Sequence, residues 1–433
     1  MRGPERIPAS SVNTPVATAP RRAALIFIFV TVLIDILSFG LIIPVLPHLI
    51  ESFLGGDVSK AAVWYGWFAT VFMAMQFIFT PVQGALSDRF GRRPVILLSN
   101  LGLGLDFLMM ALVNTLPLLF IGRIISGITA ASFSTANAYV ADVTPPEKRA
   151  QNFGMIGMAF GIGFVIAPAI GGFLGEIDTR LPFKAAVVLC LTNFVYGLFV
   201  LPESLTPERR MRFSWRRANP WGALKLLRTH HQLLGFAGVH FLYYLAHQSL
   251  QNVFVLYAGY RYGWDSLAVG LALGAVGVST SIVQGMLVGP IVARFGERRA
   301  LITGLSCGAA AFVIYGLAPT GARFMIGVLV MAFWGLYGPS AQGLMTRRVG
   351  PSEQGQLQGA LSSVVTITGI VGPALFSLTF ATFIGSRRDW HLPGAPFLLA
   401  SMLLVVAIAL VWRITRPENA ATTFSRPSQA APA

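Results

Sequence analysis

The chain's 433 residues are 55% apolar and 11% charged, and 32 Lys and Arg against 17 Asp and Glu give a net charge of +15. Ordinary globular proteins carry roughly a quarter charged residues. This composition therefore excludes a soluble fold of the same length, whose interior could not hide so much apolar surface. The two cysteines, Cys190 and Cys307, lie in separate apolar stretches and offer neither a disulfide framework nor metal-ligand spacing.

Residues 1–22 read as a polar tail ending in Arg21-Arg22, without the short apolar core and cleavage site of a signal peptide. Six apolar stretches follow, at 23–49, 62–86, 94–113, 116–141, 150–175 and 183–201. A hydrophilic linker, 202–232, separates them from six more at 233–258, 266–292, 299–317, 322–346, 354–384 and 394–413, and 414–433 is a second polar tail. Spanning a bilayer takes about 20 apolar residues, and without water such a segment must satisfy its own backbone, as a helix does. The expectation is an all-α membrane protein of twelve transmembrane helices, a six-helix bundle over 23–201 and another over 233–413. Within the linker, 219–228 has the pattern of a short amphipathic helix lying on the membrane surface.

The two halves are related. Gly84-Ala-Leu-Ser-Asp-Arg-Phe-Gly-Arg-Arg-Pro94 recurs in degraded form as Gly289-Pro-Ile-Val-Ala-Arg-Phe-Gly-Glu-Arg-Arg299, an offset of 205 residues from 84 to 289. Pro168 and Pro373 keep that offset, as do Gln151 with Gln356 and Gly154 with Gly359. A duplicated set of spans is how many membrane carriers are built. Of the 32 Lys and Arg, 24 fall on the side that holds the termini and the linker, 7 fall on the other, and Arg123 lies inside a span. That bias places both termini in the cytoplasm. It also accounts for the basic excess without nucleic acid.

Away from the span ends few ionisable residues occur: Asp35, Asp106 and Arg123, with His240 and His247 in the seventh. A charge at mid-bilayer costs about 2.5–3.5 kcal/mol on insertion scales, so such residues mark a cavity or a path. At about 1.5 Å of rise per residue, Asp35, Asp106 and Arg123 all fall near the midplane. Two carboxylates and one guanidinium leave one acid over, whose protonation follows its exposure to water and its access to the cation. Asp35 and Asp106 are the expected carriers of a coupling proton, with Arg123 arbitrating between them; the competing reading is a static ion pair. His240 reads as a packing residue and His247 as a further coupling candidate.

Substrate contacts are sought among polar and aromatic residues in the spans. Tyr244, Gln248 and Asn252 in the seventh, Trp334, Tyr337 and Gln342 in the tenth, and Gln76 and Asn137 in the first half are the candidates. Aromatic walls with few hydrogen-bonding groups suit a large amphipathic ligand better than a sugar. There is no phosphate-binding loop of the Gly-Lys-Ser type, so no cofactor is expected and a proton gradient is the expected driving force.

The Gly84–Pro94 loop resembles the signature of the major facilitator superfamily. Asp35–Pro47, Gly122–Gly127 and Gly163–Gly172 resemble its branch of bacterial tetracycline/proton antiporters. The resemblance implies two pseudosymmetric bundles around a cavity open alternately to each side. It implies that Gly84, Asp88, Arg89, Gly91, Arg92, Arg93 and Asp142 form a latch between the bundles on the cytoplasmic side. By the same resemblance Gly163, Pro168, Gly171 and Gly172 form an antiporter motif that seals against leak. The chain departs from that branch where tetracycline pumps carry a His in helix eight and an Asp in helix nine: Thr280 and Gly308 stand there. Coupling is then expected in the first half, or at His247.

The expected function is export of a drug or other amphipathic molecule in exchange for protons. The alternatives are a metabolite or siderophore exporter on the same scaffold and a receptor-like protein without flux. The expected partners are a small-molecule substrate, protons and the lipid of a bacterial inner membrane, and the chain is expected to act as a monomer.

Overall fold

The computed structural model describes residues 19–130, 132–145, 148–215, 231–349 and 354–415. Residues 1–18 and 416–433 of the tails and the 219–228 segment of the linker lie outside the described residues, and the first helix begins four residues inside the expected N-terminal tail. Among those residues every regular element is helical. The first half contains α1 (Ala19–Ile42), α2 (Val58–Phe90), α3 (Arg92–Leu112), α4 (Leu116–Val143), α5 (Arg149–Ile177) and α6 (Leu181–Phe199). The second contains α7 (His231–Tyr262), α8 (Ser266–Phe295), α9 (Glu297–Leu317), α10 (Gly321–Thr346), α11 (Gln354–Ile384) and α12 (Ala395–Ile414). Eleven of these helices are long and apolar enough to cross a bilayer. The exception is α7, which is as long but carries His240, His247, Gln248, Gln251 and Asn252.

The first span is shorter than the apolar run suggests. Pro44 and Pro47 have no N–H to continue the ladder, so α1 ends at Ile42, the chain turns, and a separate helix, Leu46–Phe53, follows. Repetition of the halves extends to the backbone. Gly91 (φ 109°) before α3 and Gly296 (φ 78°) before α9 both adopt the positive φ that favours glycine, and 91 and 296 are 205 apart. The break in α4 between Thr129 and Ser132 corresponds in the same register to the 3₁₀ stretch Phe333–Leu336 of α10. A broken helix frees carbonyls that lipid cannot satisfy. In α4 they are met from α2: Gln83 donates to the Ile128 carbonyl, and Gln76 to that of Ala130 at 3.3 Å.

Within each half the helices pack pairwise, α1 on α5 and α6, α3 on α6, α7 on α11 and α12, α9 on α12. The halves meet along two seams, α2 against α11 and α5 against α8. Both seams close at the end remote from the chain termini. Ser59 donates to the Ala381 carbonyl (3.0 Å) and Thr70 to that of Ile370 (3.1 Å). At Gly66 and Gly270 the approach is backbone-close, for a Cβ on either would lie 3.0 Å from the Pro373 oxygen or 2.5 Å from the Pro168 oxygen. Toward the basic end the same helices diverge: a Cβ added at Gly84, Gly157, Gly161, Gly285 or Gly289 would meet nothing within 4 Å. The space between the halves therefore opens at the basic end.

A bulky residue at the close approach tests this closure. Gly270→Leu is expected to wedge α5 from α8, so that a Ser266→Cys reporter beside Gly172 gains reactivity toward a membrane-impermeant maleimide. Unchanged labelling would mean that the seam is not packed as described.

Candidate functional site

Between the halves lies a cavity of about 680 Å³ lined from both. The first half contributes mainly aromatic and small residues, among them Phe39, Tyr65, Phe68, Phe72, Phe160 and Phe164. Polar groups cluster in the second, where His247, Gln248, Asn252, Thr280, Ser281 and Gln284 reach the lining. The one permanently charged residue among those lining the cavity is Arg123 of α4.

Behind Arg123 stands Asp106 of α3, 1% exposed against 6% for the arginine, so the cation separates the acid from the cavity. The Arg123 Nε donates to Asp106 Oδ1 at 3.3 Å, and an Nη completes a two-point pairing with Oδ2. Phe72 of α2 lies under the guanidinium, its ring centroid 5.6 Å away. Gly122 makes room for the carboxylate, since a Cβ there would come within 2.9 Å of Asp106 Oδ1. The third mid-depth charge, Asp35, is not among the cavity's lining residues. It sits between α1, α3 and α6, where Asn193 Nδ2 donates to its Oδ1 at 2.8 Å. With its amide nitrogen turned toward the acid, Asn100 lies 3.1 and 3.2 Å from the two carboxylate oxygens. The structure thus brings Asp106 and Arg123 together and places Asp35 in a separate polar cluster. Neither Asn100 nor Asn193 was singled out from the sequence; an amide at the depth of a buried acid was the available signal.

Of the substrate-contact candidates, Gln248 and Asn252 line the cavity, joined through Asn252 Nδ2 to Gln248 Oε1 at 3.1 Å. The coupling candidate His247 lines it too, with its ring 5.5 Å from that of Trp334. Tyr244, Trp334 and Tyr337 belong to an aromatic cluster behind the wall, in which Tyr243 stacks on Tyr337 at 3.7 Å and His240 bonds the Tyr337 hydroxyl at 3.0 Å. Gln76 serves the α4 break, and Asn137 and Gln342 are not among the lining residues. Thr280 faces the cavity, whereas the space beside Gly308 is filled by the Trp334 indole, 2.6 Å from where a Cβ would stand. In the antiporter motif, Gly163 and Gly171 lie against α1, Gly172 against Ser266 of α8, and Pro168 lines the cavity.

At the basic end Arg92 is the hub. It donates to Asp88 (2.6 Å), to Asp142 (3.0 Å) and to the Ser87 hydroxyl (2.7 Å). Its neighbour Arg93 reaches the carbonyls of Gly197 and Leu198, and Arg89 lies over the Phe90 ring. All these partners belong to the first half. A helix N-terminus attracts a carboxylate, and at α3 that carboxylate is Glu203: it accepts from the backbone N–H of Arg92 (2.8 Å) and Arg93 (3.2 Å). The second half repeats the ion pair with its charges exchanged. Glu297 and Arg347 pair at 2.9 Å, and they stand 205 residues beyond Arg92 and Asp142. Carrying the repeat offset to Asp142 would have found this pair in the sequence.

The exchanged pair supplies a test. Asp142→Arg alone sets two cations together and should cost about 1.5–3 kcal/mol of stability. Combined with Arg92→Glu and with Asp88→Ala, which reproduces Ala293 of the second half, it should recover most of that loss in thermal melts. Additive losses would show that the two halves do not share one pairing geometry.

The family model described as Major Facilitator Superfamily matches residues 28–373 and 236–433. The chain is 36% identical over 390 residues to the tetracycline resistance protein, class C, of Escherichia coli, covering 90% of this chain and 96% of that protein. It is 34% identical over 389 residues to the class E protein of the same organism, covering 90% and 93%. Among solved structures, the nucleoside transporter NupG superposes with a TM-score of 0.74 at 13% identity, over 91% of this chain and 99% of that one, which speaks for the fold alone. The chain belongs to the major facilitator superfamily, in the branch of the tetracycline resistance proteins, and is a multi-pass membrane transporter rather than an enzyme.

Proposed function

We propose that the protein exports a large amphipathic drug of the tetracycline kind in exchange for protons, by alternating access of the cavity between its halves. The observation that carries this reading is a cavity closed at one end and open at the other, with a buried Asp106–Arg123 pair in its wall. The positive-inside bias supports a cytoplasmic placement of the basic end and both termini, and on that placement this state receives substrate from inside the cell. The bacterial relatives favour the inner membrane, and the cavity is complete within one chain, which favours a monomer.

Proton coupling follows from the charge balance. In an exporter the state open to the cytoplasm has released its proton, and Asp106 is then a carboxylate held by Arg123. When the cavity opens to the more acidic outer side, a proton on Asp106 replaces Arg123 as its partner, and the released guanidinium turns to cavity water. Reopening toward the cytoplasm restores the pair and expels the proton. Removing one member of a buried pair costs about 3–5 kcal/mol, so the pair cannot separate without such a replacement. Asp35, with amides on both oxygens, is a second proton site on this reading, and His247 is the titrating group of the second half. The latch around Arg92 closes across the halves in the opposite state.

A second reading keeps the mechanism and changes the cargo to a metabolite or siderophore. It is favoured by the Trp334 indole at Gly308, a position where the resemblance to the tetracycline pumps implies an acid.

In inverted membrane vesicles, Asp106→Asn and Arg123→Ala should each lower proton-driven tetracycline uptake roughly 100-fold or more, the equivalent of about 3 kcal/mol. Asp35→Asn should do the same while expression and melting stay normal. Undiminished coupled uptake by both Asp35→Asn and Asp106→Asn would reject the mechanism. A susceptibility panel in a pump-deficient host separates the two cargoes.

A further inference from the structure

We infer that the outer face of the second half carries a seat for one anionic phospholipid, between α8, α9, α10 and α12 at the basic end. A groove of about 610 Å³ opens there and shares no lining residue with the central cavity. Its walls are apolar, built from Ile291, Phe295, Ile302, Phe333, Leu336 and Trp412. Two adjacent arginines of the first turn of α9, Arg298 and Arg299, stand at its rim.

These arginines are available to a ligand. Arg298 is steadied by a bond from its Nε to Thr415 Oγ1 (2.8 Å), with its guanidinium 6.0 Å from the centroid of the Trp412 ring. Arg299 has no ion pair or hydrogen bond among the described residues. The acid of that turn, Glu297, is already paired with Arg347. From Arg298 down to Thr303 the helix descends about 7 Å, so the rim lies at headgroup level and the floor within the hydrocarbon.

That layering selects the occupant. Basic pockets between spans at this level match lipid headgroups carrying phosphate, and Trp412 has the interfacial placement usual for its side chain. A soluble anion would match the arginines and leave the apolar walls uncovered. A second copy related by a twofold axis through this groove would bring the same arginines against each other. The occupant is therefore a glycerophospholipid with its phosphate at Arg298 and Arg299 and an acyl chain along Phe333 and Leu336.

The test uses the full-length protein in phosphatidylcholine nanodiscs. Fluorescence quenching at Trp412, isolated by difference from Trp412→Phe, is followed as acyl-brominated phosphatidylglycerol or acyl-brominated phosphatidylcholine is added. Phosphatidylglycerol should quench at the lower mole fraction. Arg298→Gln with Arg299→Gln should raise the mole fraction needed by roughly 30-fold. Thr303→Phe, which fills the groove and leaves both arginines, should also weaken the quenching. Equal quenching by the two headgroups, or a preference that survives the arginine substitutions, overturns the inference. So does abolition of the preference by inorganic phosphate, which marks a soluble-anion site, or a chain dimer that buries this face.

Discussion

A guanidinium at the wall of a cavity inside a bilayer has to be paired or hydrated. Arg123 meets that demand with Asp106 on its far side, so the cavity sees one face of a pair whose other face is sealed. The consequences spread through three helices. The pair ties α4 to α3, the Phe72 ring brings α2 under the guanidinium, and Gly122 cannot carry a side chain without meeting the carboxylate. Depth, register and the polarity of the cavity wall are thus set together by one interaction. On the proposed coupling it is also the interaction that a single proton undoes.

Duplication accounts for the architecture but not for this chemistry. In the second half the positions of Asp106 and Arg123 are held by Ala311 and Val328, and that of Asp35 by His240. What the halves share is what the backbone requires: a glycine turn before the third helix, a break in the fourth, and an ion pair across the basic end. Even the ion pair is shared only as geometry, because its two charges have changed places. The second half has kept the fold and become the polar wall, with its amides and His247 facing a first half that holds the charge. A cavity of this kind offers an amphipathic ligand apolar faces on one side and hydrogen bonds on the other.

The fold was legible because hydrocarbon imposes it: long apolar runs must be helices, and a constant offset between motifs marks the repeat. The shared depth of Asp35, Asp106 and Arg123 was legible for the same reason, since charges stand out in otherwise uncharged spans; which of the two acids pairs with Arg123 was not. Facing was harder to read. Tyr244, Trp334 and Tyr337 have the composition of a binding wall, yet they pack behind it, because aromatic rings serve a helix–helix core as well as a ligand. Gln76 has the character of a substrate contact and serves a freed carbonyl of α4, a need invisible until the break is known. Asp35 has the right depth, but the azimuth of α1 turns it toward Asn100 and Asn193 rather than toward Arg123. Depth follows from counting residues along one helix; azimuth depends on how several helices pack.

Glycine placement decides which end of the cavity is open. On α5, Gly172 meets α8 backbone to backbone, while Gly157 and Gly161, about four turns and three turns nearer the basic end, have open space where a Cβ would stand. On α8, Gly270 packs against α5 and Gly285 and Gly289 are free. Close-packed interiors are bistable rather than continuously deformable, so two rigid halves hinged along these seams can be tightly packed at one end or at the other. On the proposed alternating access, apolar surface uncovered at one end is covered at the other, which keeps the free-energy difference between the two states small. A difference that small is within reach of a proton and a ligand, because a ligand shifts an equilibrium by no more than its differential affinity for the two states. On that proposal, small residues at the ends of the seams do for the halves what a proton on Asp106 does for Arg123: they give each packed surface a second arrangement of nearly equal free energy.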